Sequence, residues 1–169
     1  DLLVDVTGYF TGSPQPAPLP KAPNESPGYL GEPAQELVRD SVPAAVFAVL
    51  GGVDMATLPD LGGPAGYAST PPEVIRFAHQ IYVNRRRVVA RSSAAHEVGH
   101  ILAYRYIDAT GNGIFWSGDD HECIAEALGR IMTAWTGRGY SPGYGGRYDS
   151  CAVSPLAVSV ANDILATQT

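Results

Sequence analysis

A chain of 169 residues can be one domain of ordinary size or a smaller domain with attached segments. Its 45% hydrophobic content supports a buried core, while 17 Asp and Glu against 11 Lys and Arg give a net charge of -6 and a pI near 5.0. That balance argues against nucleic acid or an anionic membrane surface as the main partner, and no apolar run approaches the roughly twenty residues that a membrane-crossing helix needs.

Asp1 to Phe10, "DLLVDVTGYF", alternates apolar and polar residues up to Gly12, as a half-buried strand does. It begins inside the pattern without an initiator Met or a visible signal peptide, which suggests a piece of a longer exported precursor. The stretch resembles the closing strand of β-rich domains in secreted actinobacterial cell-surface proteins, where variants of "VDVTGYF" recur. Residues 1–12 are therefore expected to end a preceding β domain. Ser13 to Pro33 holds seven of the 14 prolines and reads as an extended linker.

The domain proper is expected over 34–169. "AQELVRDS" predicts a short helix stopped near Pro43, and "AAVFAVLGG" is either a buried strand or an apolar helix. Gly51 to Gly66 reads as a loop rich in Gly and Pro. The alternation in "EVIRFAHQIYV", Glu73 to Val83, predicts a long strand with one wet or edge face, suited to flank a cleft and pair an extended peptide. Asn84 can cap a helix running to about Ile107, and Arg85, Arg86 and Arg87 at its start form the only basic cluster, read as a solvated stretch. Asp119 and Asp120 open a second helix. Gly137 to Gly146 is a loop rich in Gly and Tyr, and Pro155 starts a last helix.

The first long helix carries "HEVGH". Residues four apart lie about 40° apart around a helix, so His96 and His100 project from one face and can present ring nitrogens to a single ion. Glu97, about 100° round from His96, reaches a water beside that ion but not the ion itself. Ala94, Val98, Ile101 and Leu102 form an apolar stripe roughly opposite, whose burial would turn the histidines to the other side. Gly99 is costly within a helix unless another backbone passes close by.

A third ligand must come from elsewhere, because Tyr106 stands where an HExxHxxGxxH pattern would place it. On the second helix Ile124, Leu128, Ile131 and Trp135 make an apolar stripe, and Glu122, Glu126, Gly129 and Thr133 line the opposite face. Two carboxylates followed by small residues suit close packing on the HExxH helix. His121 is a competing ligand that projects away from Glu122, and His79 reads as an ordinary strand residue. Cys123 and Cys151 are an even pair suited to one disulfide, contributing about 3 kcal/mol through the unfolded state.

HExxH followed some twenty residues later by "ECIAE" resembles the gluzincin metallopeptidases, whose second motif is E-x-x-[AS]-[DE]. The resemblance covers His96 to Glu126. It implies zinc held by His96, His100 and Glu122, Glu97 as general base, and Glu126 supporting a ligand histidine where Asp is common. It also implies a downstream electrophile for the oxyanion. Tyr140, Tyr144 and Tyr148 are the candidates, with Tyr148 beside Cys151 the first choice.

The expected architecture is thus α+β: a small zincin-like domain with a mixed sheet, an HExxH helix and a following ligand-bearing helix. The expected activity is a secreted, monomeric zinc-dependent endopeptidase acting on peptides or proteins. The alternatives are a non-catalytic cell-surface or cell-wall module with a structural or vestigial zinc site, and a zinc hydrolase of peptidoglycan amides.

Overall fold

The computed structural model describes residues 2–5, 9–11, 34–62, 65–79, 81, 87–112, 117–141 and 147–168. The Pro-rich segment 13–33, the predicted cap Asn84, Arg85, Arg86 and Tyr144 lie outside these residues. At the N-terminus, where one strand is expected, the backbone forms β1 (Leu2–Asp5) and β2 (Tyr9–Thr11), paired antiparallel with Leu3 opposite Phe10.

"AQELVRDS" folds as α1 (Ala34–Ser41), burying Leu37 and Val38. Pro43, which has no N–H to continue that helix, instead stands at the start of α2 (Ala44–Val49). The ambiguous "AAVFAV" is thus helical, with Val46 its one buried residue.

The expected loop from Gly51 to Gly66 contains a strand that sequence patterning missed. It is β3 (Asp54–Leu58), and β4 (Gly66–Ser69) begins at the loop's last residue. With β5 (Val74–Ala78) they form a mixed sheet, β3 parallel and β4 antiparallel to β5. β1 extends the sheet by pairing antiparallel with β4, giving the order β2-β1-β4-β5-β3.

The long strand predicted over Glu73 to Val83 is corrected on two counts. It has only five residues, all buried, and it lies between two neighbours rather than at an edge. The alternation misled because Arg76, a polar residue on the expected wet face, is buried with its guanidinium bonded to the main chain and side chain of Asp54. With both ladders used by β3 and β4, β5 has no backbone groups left to pair a peptide.

The three helices that follow build the site's frame. They are α3 (Arg87–Thr110), α4 (Gly118–Trp135) and, after the short α5 (Asp149–Ala152), α6 (Pro155–Gln168). α4 starts one residue before the predicted Asp119 because Ser117 caps it: its side chain accepts from the Asp120 N–H while the Asp120 carboxylate accepts from Ser117 N–H. α3 packs on β4, α1, α4 and α6, so it is buried on nearly every side, from Ser92 to Ala103. Its stripe of Ala94, Val98, Ile101 and Leu102 faces the core as expected, and the histidine face is equally enclosed. On α4 the stripe holds for Ile124 and Leu128, but Trp135 in the last turn is 56% exposed. Among the described residues no helix is long and apolar enough to cross a membrane.

Candidate metal centre

Two glycines bring α3 and α4 together. A Cβ on Gly99 would lie 2.7 Å from Ala125 O, and one on Gly129 would lie 3.2 Å from His96 N and 3.3 Å from its Cα. Each helix therefore lacks a side chain where the other's backbone passes, as the cost of Gly99 within a helix anticipates. The contacts pair His96 with Glu126, Gly99 with Ala125 and His100 with Glu122, so the helices run antiparallel and the Glu122, Glu126, Gly129, Thr133 face of α4 lies on the histidine face of α3.

The outcome is a buried group of three potential ligands, His96, His100 and Glu122. His100 Nε2 stands 3.0 Å from His96 Nε2, Glu122 Oε2 3.1 Å from His96 Nε2, and Glu122 Oε1 3.6 Å from His100 Nε2. A tetrahedral ion with bonds of about 2.0–2.1 Å sets its ligand atoms about 3.3 Å apart, and each separation, taken to the nearer Glu122 oxygen, lies close to that spacing. His121, the competing ligand, is not part of the group. It is buried, and its ring stacks on Tyr104 with centroids 5.4 Å apart.

Electrostatics favour a cation here. Glu97, Glu122 and Glu126 are each no more than 1% exposed, an arrangement that costs several kcal/mol per ion unless positive charge compensates it. Burial lowers the pKa of His96, but hydrogen bonds to Glu122 and Glu126 and the charges of Glu122 and Glu97 outweigh it, raising it from 6.5 to about 10. Without an ion, His96 is thus an imidazolium, donating from Nδ1 to Glu126 Oε2 at 3.0 Å and from Nε2 toward Glu122. His100 moves the other way: burial first, then the charges of His96 and His121, push its pKa well below 6.5. Its Nδ1 is buried without a hydrogen-bond partner among the described residues. A divalent ion accepted by the two Nε2 atoms and Glu122 would replace the His96 proton and meet the same carboxylates.

Glu97 follows His96 and points toward the sheet, where Gly66 makes room for it: a Cβ there would lie 3.3 Å from Glu97 Oε1 and 3.0 Å from Phe77 Cδ1. Glu126, one turn beyond Glu122, accepts from His96 Nδ1, and its carboxylate also accepts from Tyr140 Oη at 2.6 Å. Burial works to raise the Glu126 pKa, but the hydrogen bond and charge of His96, the Tyr140 hydrogen bond and the charge of Arg130 hold it low. Tyr140, a sequence candidate for the electrophile, thus has its hydroxyl committed to Glu126.

Cys123 and Cys151 form the expected disulfide, with Cα atoms 5.6 Å apart, tying the residue after Glu122 to α5. Tyr148 lies at the start of α5, buried, with the Arg147 guanidinium 5.2 Å from its ring centre. His79 continues β5 by donating its N–H to Leu58 O and takes no part in the ligand group.

Sequence reasoning passed over Tyr104, one turn after His100. Its hydroxyl is buried without a hydrogen-bond partner among the described residues, and burial together with the Glu122 charge pushes its pKa up. Its spacing of four from His100 and seven from Glu97 was the available signal.

No family model, curated protein or solved structure matches this chain.

Proposed function

We propose that this chain is a small secreted zinc metallopeptidase of the gluzincin type, with zinc held by His96, His100 and Glu122. One observation carries the reading: two histidines and a carboxylate from two packed helices approach one another at 3.0 to 3.6 Å between nearest ligand atoms, all within a buried group. Among the described residues the group has three members, which leaves a fourth tetrahedral position for water or substrate, as catalytic zinc sites do. The disulfide fits an oxidising, extracellular setting.

When bound, zinc supplies Lewis acidity, making a water acidic near neutral pH and polarising a carbonyl. The chain's residues do the rest. Glu126 holds the Nδ1–H of His96, so that its Nε2 faces His100 Nε2. Glu97 takes a proton from the water that attacks the scissile carbonyl carbon and returns it to the departing amine. Tyr148, on the segment that the disulfide ties to α4, donates to the oxyanion. The substrate is a peptide, bound by surfaces other than β5.

Glu97→Gln tests the mechanism. It should keep zinc and lose about 10²–10⁴-fold in peptide turnover, the range for a general base. Full activity in that variant would sink the mechanism.

A second reading is favoured by burial: with Glu97 and both histidines fully enclosed, the ion would be structural, in a non-catalytic cell-surface module. Hydroxamate binding separates the two, since an open coordination position accepts it and a closed one does not.

A further inference from the structure

We propose that Tyr140 is a positioning residue for the ligand His96, acting through Glu126 and held by the strap of residues 136–141. The inference rests on the reading of His96, His100 and Glu122 as a metal site.

His96 presents Nε2 to an ion in a defined direction only while its Nδ1–H is held, and the holder is Glu126. A glutamate has one more rotatable bond than an aspartate, so its carboxylate needs bracing to stay in place. Tyr140 and Arg130 brace it. Tyr140 Oη donates to the same oxygen that accepts from His96, and Arg130 Nε lies 3.4 Å from the other oxygen. The Arg130 guanidinium also sits 5.2 Å from the Tyr140 ring centre and pairs with Asp149, so each brace steadies the other.

The strap is anchored on both sides of the tyrosine. Gly137, at φ 71°, turns the chain after α4, a left-handed conformation that suits glycine. Arg138 pairs with Asp40 of α1 at 2.6 Å, and Ser141 N–H donates to Ser92 Oγ, one turn before His96 on α3. Gly129 lets the strap reach the site, because a Cβ there would lie 3.3 Å from Tyr140 Cε2 as well as 3.2 Å from His96 N. The Tyr140 hydroxyl therefore connects a segment outside both motifs to the orientation of a ligand ring.

The test is a double-mutant cycle on the full chain, read as zinc affinity by competition with a chromophoric chelator and as the visible spectrum of the Co(II)-loaded protein. Tyr140→Phe keeps the ring against Gly129 and Arg130 and removes only the donor. It should weaken zinc by about tenfold, the low end for outer partners of metal-bound histidines, and shift the Co(II) bands. Glu126→Gln should weaken zinc by about 10–100-fold, and Tyr140→Phe should add little in that background, because its effect passes through Glu126. Ser92→Ala, which releases the strap's far end, is the second variant and should weaken zinc in the same direction. Wild-type affinity and Co(II) spectrum in both Tyr140→Phe and Ser92→Ala overturn the proposal, as does full additivity of Tyr140→Phe with Glu126→Gln. If the wild type binds no zinc, the metal reading falls and this inference with it.

Discussion

Adding one methyl group at Gly99 tests whether close helix packing sets the ligand geometry. The new Cβ would sit 2.7 Å from Ala125 O and 3.0 Å from Ala125 Cα, both backbone atoms that no rotamer change can move. Ordinary contact begins at 3.4 Å, so α3 and α4 must part locally by about 0.7 Å (3.4 − 2.7). His96 and His100 ride on α3 and Glu122 on α4, while metal–ligand distances hold within about 0.2 Å. The strain costs about 1–3 kcal/mol, and Ala regains about 1 kcal/mol over Gly in a helix. Gly99→Ala should therefore lose about 0–2 kcal/mol of metal-free stability in urea unfolding, yet lose at least about tenfold in zinc affinity by chelator competition. A metal-free chain stabilised by the substitution, with zinc affinity unchanged, would refute the reasoning.

Glu97→Gln should keep its zinc while peptide turnover collapses, as measured by metal content beside fluorogenic peptide cleavage. Removing the oxyanion donor should cost about 10²–10³ in kcat, so Tyr148→Phe is expected to be severe and Tyr104→Phe to stay within about twofold; the opposite order assigns the role to Tyr104. In the metal-free chain the His96 pKa is raised from 6.5 to about 10, so its contribution to stability is complete below pH 6.5 and is lost as the pH rises through 10. An incoming ion must displace that proton, while His100, held well below 6.5, has none to give near neutrality. Zinc affinity should rise with pH across that window with at least one proton released per ion; calorimetry in buffers of different ionisation enthalpy counts it, and no release contradicts the assignment.

The helical part of the fold was readable because its signals are local. HExxH, the acidic face of α4, the Pro at the start of α6 and the cost of Gly99 each lie within a few residues, and each has the packing its pattern implies. Ser117–Asp120 was a capping signature within the same reach that went unread. The sheet was harder. β3 and β4, five and four residues long, sit among Gly and Pro, too short for alternation to stand out. β5 was overextended because Arg76 reads as a solvent residue, and only its pairing with Asp54, twenty-two positions away, shows why it is buried.

The site divides the same way. His96, His100, Glu122 and Glu126 could be named from helical spacing and family resemblance, since regular helices carry that spacing into space. The Tyr140–Glu126 bond and the Ser141–Ser92 anchor depend on how a Gly-turned loop folds back, which no local periodicity encodes. Tyr104 was passed over for another reason: an aromatic at helical spacing ordinarily signals core packing, and only its buried, unpartnered hydroxyl among the described residues marks it out.

The most direct test of the central claim is the zinc content per purified chain of wild type, Glu122→Ala and His121→Ala, by elemental analysis. One ion per wild-type chain, kept by His121→Ala and lost by Glu122→Ala, is the predicted result. A wild type without zinc, or an ion lost with His121 and kept without Glu122, would contradict it.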